Sequence, residues 1–234
     1  MGLICNGLAV NHYVFESIVV LYALSILITM NIFLTSQASN VLKKITSLLP
    51  KKASEYKIVF IPTAAKPYAE APWMYADKNE LIALGFSVED LELDSALPEE
   101  VRVAVEAADI IFVAGGNTFY LLEKAKESGF DGVVKESIAK GKVYIGSSAG
   151  SVLAAPDIKY VELFDDPAKA SLENTHGLSL VNFAVLPHVG NPKYKELHDK
   201  ILSEYKDWDY KLVPVNDNQF IVPSGEGWEI IEPM

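Results

Sequence analysis

The groups best suited to chemistry in this chain are a serine, a histidine and a set of small residues at strand-like ends. In "KVYIGSSAGSVLAA", Ser148 lies between a strand-like run and a helix-like run, with Gly146, Ala149 and Gly150 around it. A serine is a poor nucleophile until a base takes its proton. A tight strand-to-helix turn would lift its hydroxyl out of a sheet, at the positive end of the following helix, and small neighbours let backbone and substrate come close. The stretch reads as a nucleophile elbow, with the N–H of Ala149 facing the oxygen of an attacked carbonyl. A phosphate-binding turn has a similar composition, so the elbow has to be weighed with two further segments. "VAGGNTF" sets Gly115 and Gly116 past a buried-strand run, where their N–H groups suit an oxyanion site. Its plainer reading is a tight turn capped by Asn117 or Thr118. "FAVLPHVGNP" sets His188 just past another apolar run. His198 falls in a polar helical stretch, His176 in a loop and His12 in the leading segment, so His188 is the best-placed base.

The elements that must position these groups are legible. Short apolar runs, "NIFLT" (31–35), "KIVFIPTA" (57–64), "SVEDLEL" (87–93), "DIIFVAGG" (109–116) and "KVYIG" (142–146), alternate with helical stretches. The helices are expected near 39–49, 73–86, 98–108, 117–129 and 131–141, and Pro98 suits a first helical turn. Apolar strands without alternation, separated by helices, indicate a parallel sheet covered on both faces. After about residue 156 the pattern loosens into short strands, with turns at 216–218 and 224–227. The expectation is an α/β fold: one doubly wound, mostly parallel sheet with helices on both faces, over residues 30–234. In such sheets ligands bind outside the carboxyl ends of the strands, where the glycine-marked segments fall.

Composition narrows the function. The chain has 234 residues, half of them hydrophobic, enough for a single domain with a real core. A net charge of −11 argues against nucleic acid as a partner, because phosphate binding needs clustered Lys and Arg. A single cysteine, Cys5, excludes an internal disulfide and a cysteine-based zinc site, and the four histidines show no metal-type pairing. No cofactor is expected.

The three motifs, "FVAGGNTFYLL", "VYIGSSAGSVLAAP" and "LPHVGNP", resemble in order and spacing the peptidase E family of serine peptidases, which includes aspartyl dipeptidases and cyanophycinases. The resemblance covers about residues 30–231 and implies a fold similar to the class I glutamine amidotransferase domain, flavodoxin-like in its winding. It implies Ser148 as nucleophile, His188 as general base, and the N–H groups of Gly116 and Ala149 as oxyanion hole, with a small peptide as substrate. It also points to an acid in the C-terminal hairpin, where "PVNDNQFIV" offers Asp217. Glu162, Asp165 and Asp166 in "YVELFDD" are the alternative acids, and Asp217 has its own plain reading as a turn residue. The dipeptidases carry an arginine after the histidine that reads an acidic substrate side chain. Here that stretch has no arginine, only Lys193 and Lys195, so an Asp-X preference does not carry over. Two rivals share the elbow: an α/β-hydrolase esterase, whose Ser…acid…His order an acid at 162–166 would restore, and a non-catalytic amidotransferase-like binding domain.

Residues 1–29 stand apart. The run 18–28 is apolar except for Ser25, shorter than the ~18 residues of a membrane span, and no Lys or Arg precedes Lys43. Three readings compete: a membrane anchor or uncleaved signal, a helical addition packed on the domain or on a dimer partner, and an extension upstream of a natural start at Met30. The last is preferred. It implies a cytoplasmic protein, with membrane association only if residues 1–29 are an anchor; a homodimer is the oligomer to look for.

Overall fold

The computed structural model describes residues 31–225 and 227–232, so the leading segment and its three readings lie outside the described residues. The strands are β1 (Ile32–Thr35), β2 (Lys57–Ile61), β3 (Ser87–Asp90), β4 (Ile110–Val113), β5 (Val143–Ser147), β6 (Phe183–Leu186), β7 (Lys211–Pro214), β8 (Phe220–Ser224) and β9 (Gly227–Ile231). The helices are α1 (Ala38–Leu48), α2 (Pro72–Ala83), α3 (Pro98–Ala107), α4 (Thr118–Glu127), α5 (Phe130–Ala139), α6 (Ala149–Leu153) and α7 (Lys195–Glu204). The main sheet has seven strands in the order β3-β2-β4-β5-β1-β8-β9. Its first five are parallel, and the β8–β9 hairpin closes the β1 edge antiparallel.

The unalternating apolar runs have the expected cause: both faces of the sheet are covered. Phe33, Ile58, Phe60, Ile110, Phe112 and Ile145 point to one face and pack with Val41, Leu42 and Ile45 of α1 and Leu81 of α2. Leu34, Val59, Ile61, Ile111, Val113 and Tyr144 point to the other and meet α3, α4, α5 and α6. The Phe60 and Phe112 rings stack 5.1 Å apart. Emptying such a site by Phe112→Ala costs about 3–5 kcal/mol. Pro72 and Pro98 open α2 and α3 at positions whose N–H would have no partner, and the Asn117 side chain accepts from the N–H of Tyr120 to cap α4.

Two differences from the sequence expectation concern its weaker signals. The run 87–93 is a strand only as far as Asp90, because its exposed, charged residues make it the sheet's edge. In the C-terminal third, β6 and β7 do not extend the main sheet but pair with each other as a separate parallel sheet. The β1 edge they would have joined is already taken by β8.

Candidate active site

Three strands end at one rim of the main sheet: β1 runs into Ser36, β4 into Gly115 and Gly116, and β5 into Ser148. Ser148 takes φ 47° and ψ −107°, a backbone region costly for a residue with a Cβ. Its neighbours hold it there. The Ser148 N–H donates to the Thr35 carbonyl at 3.0 Å, and its carbonyl accepts from the N–H groups of Ser151 and Val152 at 2.8 and 3.0 Å. The Ser151 hydroxyl lies 2.7 and 2.8 Å from the Thr35 and Gly146 carbonyls. The small residues are contact requirements: a Cβ on Gly150 would lie 2.1 Å from the Val113 carbonyl oxygen, and one on Gly146 would lie 2.6 Å from Gly150. The elbow is pressed against β4 with no room between.

The small sheet brings the imidazole. His188 follows β6 with φ 62°, again left-handed, and its Nε2 lies 2.9 Å from Ser148 Oγ. Its Nδ1 lies 2.7 Å from Oδ1 of Asp217. Asp217 sits in the link from β7 to β8; these strands belong to different sheets, so the hairpin expected around it is instead a crossing between the sheets. The hydrogen bond from His188 holds the Asp217 carboxyl below its ordinary range, outweighing partial burial, with help from the hydroxyl of Ser36.

The alternative acids lie elsewhere. Asp165 accepts the N–H of Thr118 at 2.8 Å at the start of α4, and burial pushes its carboxyl up. Asp166 accepts the N–H of Ala168, and Glu162 is exposed. None of the three hydrogen-bonds His188, whereas Asp217 does. His198 is buried and its Nε2 lies 2.9 Å from the carbonyl of Pro187, bracing the chain just before His188. His176 is exposed.

Gly116 and Ala149 line the same cleft as Ser148, and their N–H groups donate to no other described residue. Gly116 has φ +152°, and a Cβ there would lie 2.0 Å from the Ala64 carbonyl oxygen. The indole N–H of Trp73 donates to the Gly115 carbonyl at 3.1 Å. Because the two polar groups of a trans peptide point opposite ways, this bond also aims the N–H of Gly116. Asn117 caps α4 as its plainer reading required, directly after the glycine that lines the cleft. The cleft has a volume of about 730 Å³ and aromatic walls at Tyr68, Trp73, Phe164 and Tyr194. Its charged lining adds Glu70, Asp165 and Lys193 to Asp217. Lys193 lies 5.0 Å from the Tyr194 ring centre, while Lys195 pairs with Asp199 on α7.

Sequence reasoning missed two groups. Ser36 donates to Asp217 Oδ1 at 2.6 Å and accepts from the N–H of His188 at 2.7 Å. The available signal was position: a small hydroxyl residue just past β1, at the same rim as the two glycine-marked ends. Trp73 gave no signal, since an aromatic in the first turn of a helix is ordinary core composition.

A hydroxyl on a strained strand-to-helix turn, an imidazole and a carboxylate in hydrogen-bonded series, on a doubly wound sheet, define a serine-type hydrolase. Residues 28–231 match Peptidase family S51, and the chain belongs to that family of serine-type peptidases. It is 36% identical over 197 residues to the uncharacterized peptidase Lmo0363 of Listeria monocytogenes, covering 84% of this chain and 95% of that one. It is 34% identical over 136 residues to Peptidase E of Salmonella arizonae, covering 57% of this chain and 55% of that one. Among solved structures, a peptidase E candidate from Listeria monocytogenes EGD-e superposes with a TM-score of 0.81 at 35% identity, over 87% of this chain and 98% of that one. A peptidase from an acI-B1 Actinobacterium shares the fold, with a TM-score of 0.61 at 18% identity over 86% of this chain and 87% of that one.

Proposed function

We propose that the protein hydrolyses peptide bonds in small peptides through an acyl-enzyme on Ser148. The observation that carries this reading is the unbroken series from Ser148 Oγ to His188 Nε2 at 2.9 Å and from His188 Nδ1 to Asp217 at 2.7 Å, opening into the cleft. His188 takes the proton of Ser148 as the hydroxyl oxygen bonds to the carbonyl carbon. Negative charge then develops on the carbonyl oxygen, and the N–H groups of Gly116 and Ala149 receive it. His188 passes the proton to the leaving amine, the C–N bond breaks, and water repeats the cycle on the ester. Asp217 orients the imidazole and stabilises its charged form throughout. No step calls on a cofactor.

The size of the cleft supports a small substrate. A space of about 730 Å³ matches a small-molecule site and holds a dipeptide or tripeptide more readily than an extended chain. The test is turnover of a dipeptide library, with labelling by a fluorophosphonate probe. Ser148→Ala should abolish both and leave the melting temperature near that of the wild type. Wild-type protein that takes no label and cleaves no dipeptide would refute the assignment, and a strong preference for p-nitrophenyl esters would favour the esterase reading.

A further inference from the structure

We propose that Ser36 is a positioning residue: its hydroxyl, held between the His188 N–H and the Asp217 carboxylate, fixes the proton on Nδ1 of His188 and leaves Nε2 bare for Ser148. The inference rests on the serine-peptidase reading above and concerns how the base is prepared for it.

The argument is an inventory of hydrogens. A serine hydroxyl has one hydrogen to give and two lone pairs to offer. At Ser36 one lone pair is taken by the N–H of His188 at 2.7 Å. The carboxylate oxygen of Asp217 at 2.6 Å can only accept, so the hydroxyl hydrogen points there. Nothing is left to donate to Nδ1, which lies 3.2 Å from the same hydroxyl. Asp217 and Ser36 are thus both acceptors towards Nδ1. The ring must carry its hydrogen on that side and turn an unprotonated Nε2 to the nucleophile. Ser36 is fully buried, so water does not compete for these bonds. The same hydroxyl ties down the backbone of His188, whose left-handed conformation needs an external hold.

Without the hydroxyl, Asp217 still accepts from Nδ1, but the carboxylate loses its second tether and the His188 N–H its partner. The expected loss is about 10- to 100-fold in kcat with KM unchanged, the size of one hydrogen bond to a charged group. Ser36→Ala and Ser36→Thr, which keeps the hydroxyl, would be compared with wild type on three readouts: kcat against KM on a dipeptide, the rate of Ser148 acylation by a fluorophosphonate, and the low-field proton resonance of His188 Nδ1–H. Ser36→Ala should slow turnover and acylation together and shift or broaden the resonance, and Ser36→Thr should recover part of each. Wild-type kcat in Ser36→Ala with an unmoved resonance would overturn the proposal. So would a loss of rate accounted for wholly by unfolded protein. If Ser148 of the wild type is not acylated at all, the peptidase reading fails, while the resonance still decides whether Ser36 sets the tautomer.

Discussion

Replacing Asp217 by asparagine removes a charge but leaves an acceptor where the imidazole needs one. Oδ1 of Asp217 receives both His188 Nδ1–H at 2.7 Å and the Ser36 hydroxyl at 2.6 Å. Two donors converging on one oxygen will turn the amide so that its carbonyl oxygen stays there and its NH₂ takes the other position. The tautomer of His188 therefore survives, and what is lost is the attraction of an anion for the imidazolium of the transition state. Unit charges about 4 Å apart attract by about 4 kcal/mol at an effective dielectric of about 20. The Asp217 side chain is 35% exposed and its charge is already shared with Ser36, so roughly half of that, about 2 kcal/mol, is the expected loss. This corresponds to about 30-fold in kcat, against about 10⁴-fold where such a change reverses the tautomer. Asp217→Ala should be worse, by about 10³-fold or more, because the freed Ser36 hydroxyl, 3.2 Å from Nδ1, can then donate to it and drive the proton to Nε2. The assay is kcat on a chromogenic aminoacyl anilide that the wild type cleaves, at saturating substrate. If the asparagine variant falls as far as the alanine variant, the two-donor argument is wrong.

Gly116→Ala should lower kcat by about 10²–10³-fold, the usual cost of one oxyanion donor, because its Cβ would meet the Ala64 carbonyl at 2.0 Å and the peptide must turn away; a kcat ratio near one would remove Gly116 from the mechanism. Asp77 predicts a pH effect on stability. Burial lifts its carboxyl from 3.8 to about 6, despite hydrogen bonds to Oδ1 from the Ser39 N–H and the Gln37 amide, and Oδ2 has no partner among the described residues. The folded state therefore holds this proton more tightly than the unfolded chain, so stability falls as pH rises from about 4 to about 6, by about 3 kcal/mol. Denaturant midpoints of wild type and Asp77→Asn should shift relative to each other across that window in the variant's favour, and a constant difference would contradict the assignment. The cleft sets Glu70, Asp165 and Asp217 against Lys193, while Arg102 is held by Glu106 and Glu136 on the exposed face of α3. Dipeptides beginning with aspartate should therefore show kcat/KM no higher than those beginning with a neutral residue, and a clear Asp preference in a matched library would refute this.

Legibility in the sequence followed how local each cause was. The strands β1, β2, β4 and β5 could be read because burial on both faces leaves an unbroken apolar run, and the elbow because its glycines answer to contacts within a few residues or on the adjacent strand. His188 could be located by its place after "FAVLP", but not the separate sheet that carries it, since pairing of β6 with β7 depends on β8 having filled the edge of β1. Asp217 was reached only through resemblance. Asn-Asp-Asn has the composition of any turn, and its partner His188 is 29 residues away. Ser36 was passed over for the same reason, its two partners being 152 and 181 residues distant, although its place just past β1 was a signal. The amides of Gly116 and Ala149 could be named from the sequence, whereas the indole of Trp73 that holds the Gly115–Gly116 peptide could not.

The three groups proposed to react reach each other along different routes: Ser148 from the large sheet, His188 from the two-stranded one, and Asp217 from the strip of chain that stitches them together. The small sheet shares a core with the large one: Phe183, Ala184, Val185 and Leu186 are buried among Leu34, Tyr144 and Ile221, with further holds from the Tyr160 hydroxyl on the Val185 carbonyl at 2.5 Å and the Phe183–Trp228 ring contact at 4.8 Å. Because that core is shared, parting the two sheets would separate His188 from Ser148 and expose one face of the seven-stranded sheet in the same event. Turnover and the far-ultraviolet signal of helix and strand are therefore expected to be lost at the same temperature.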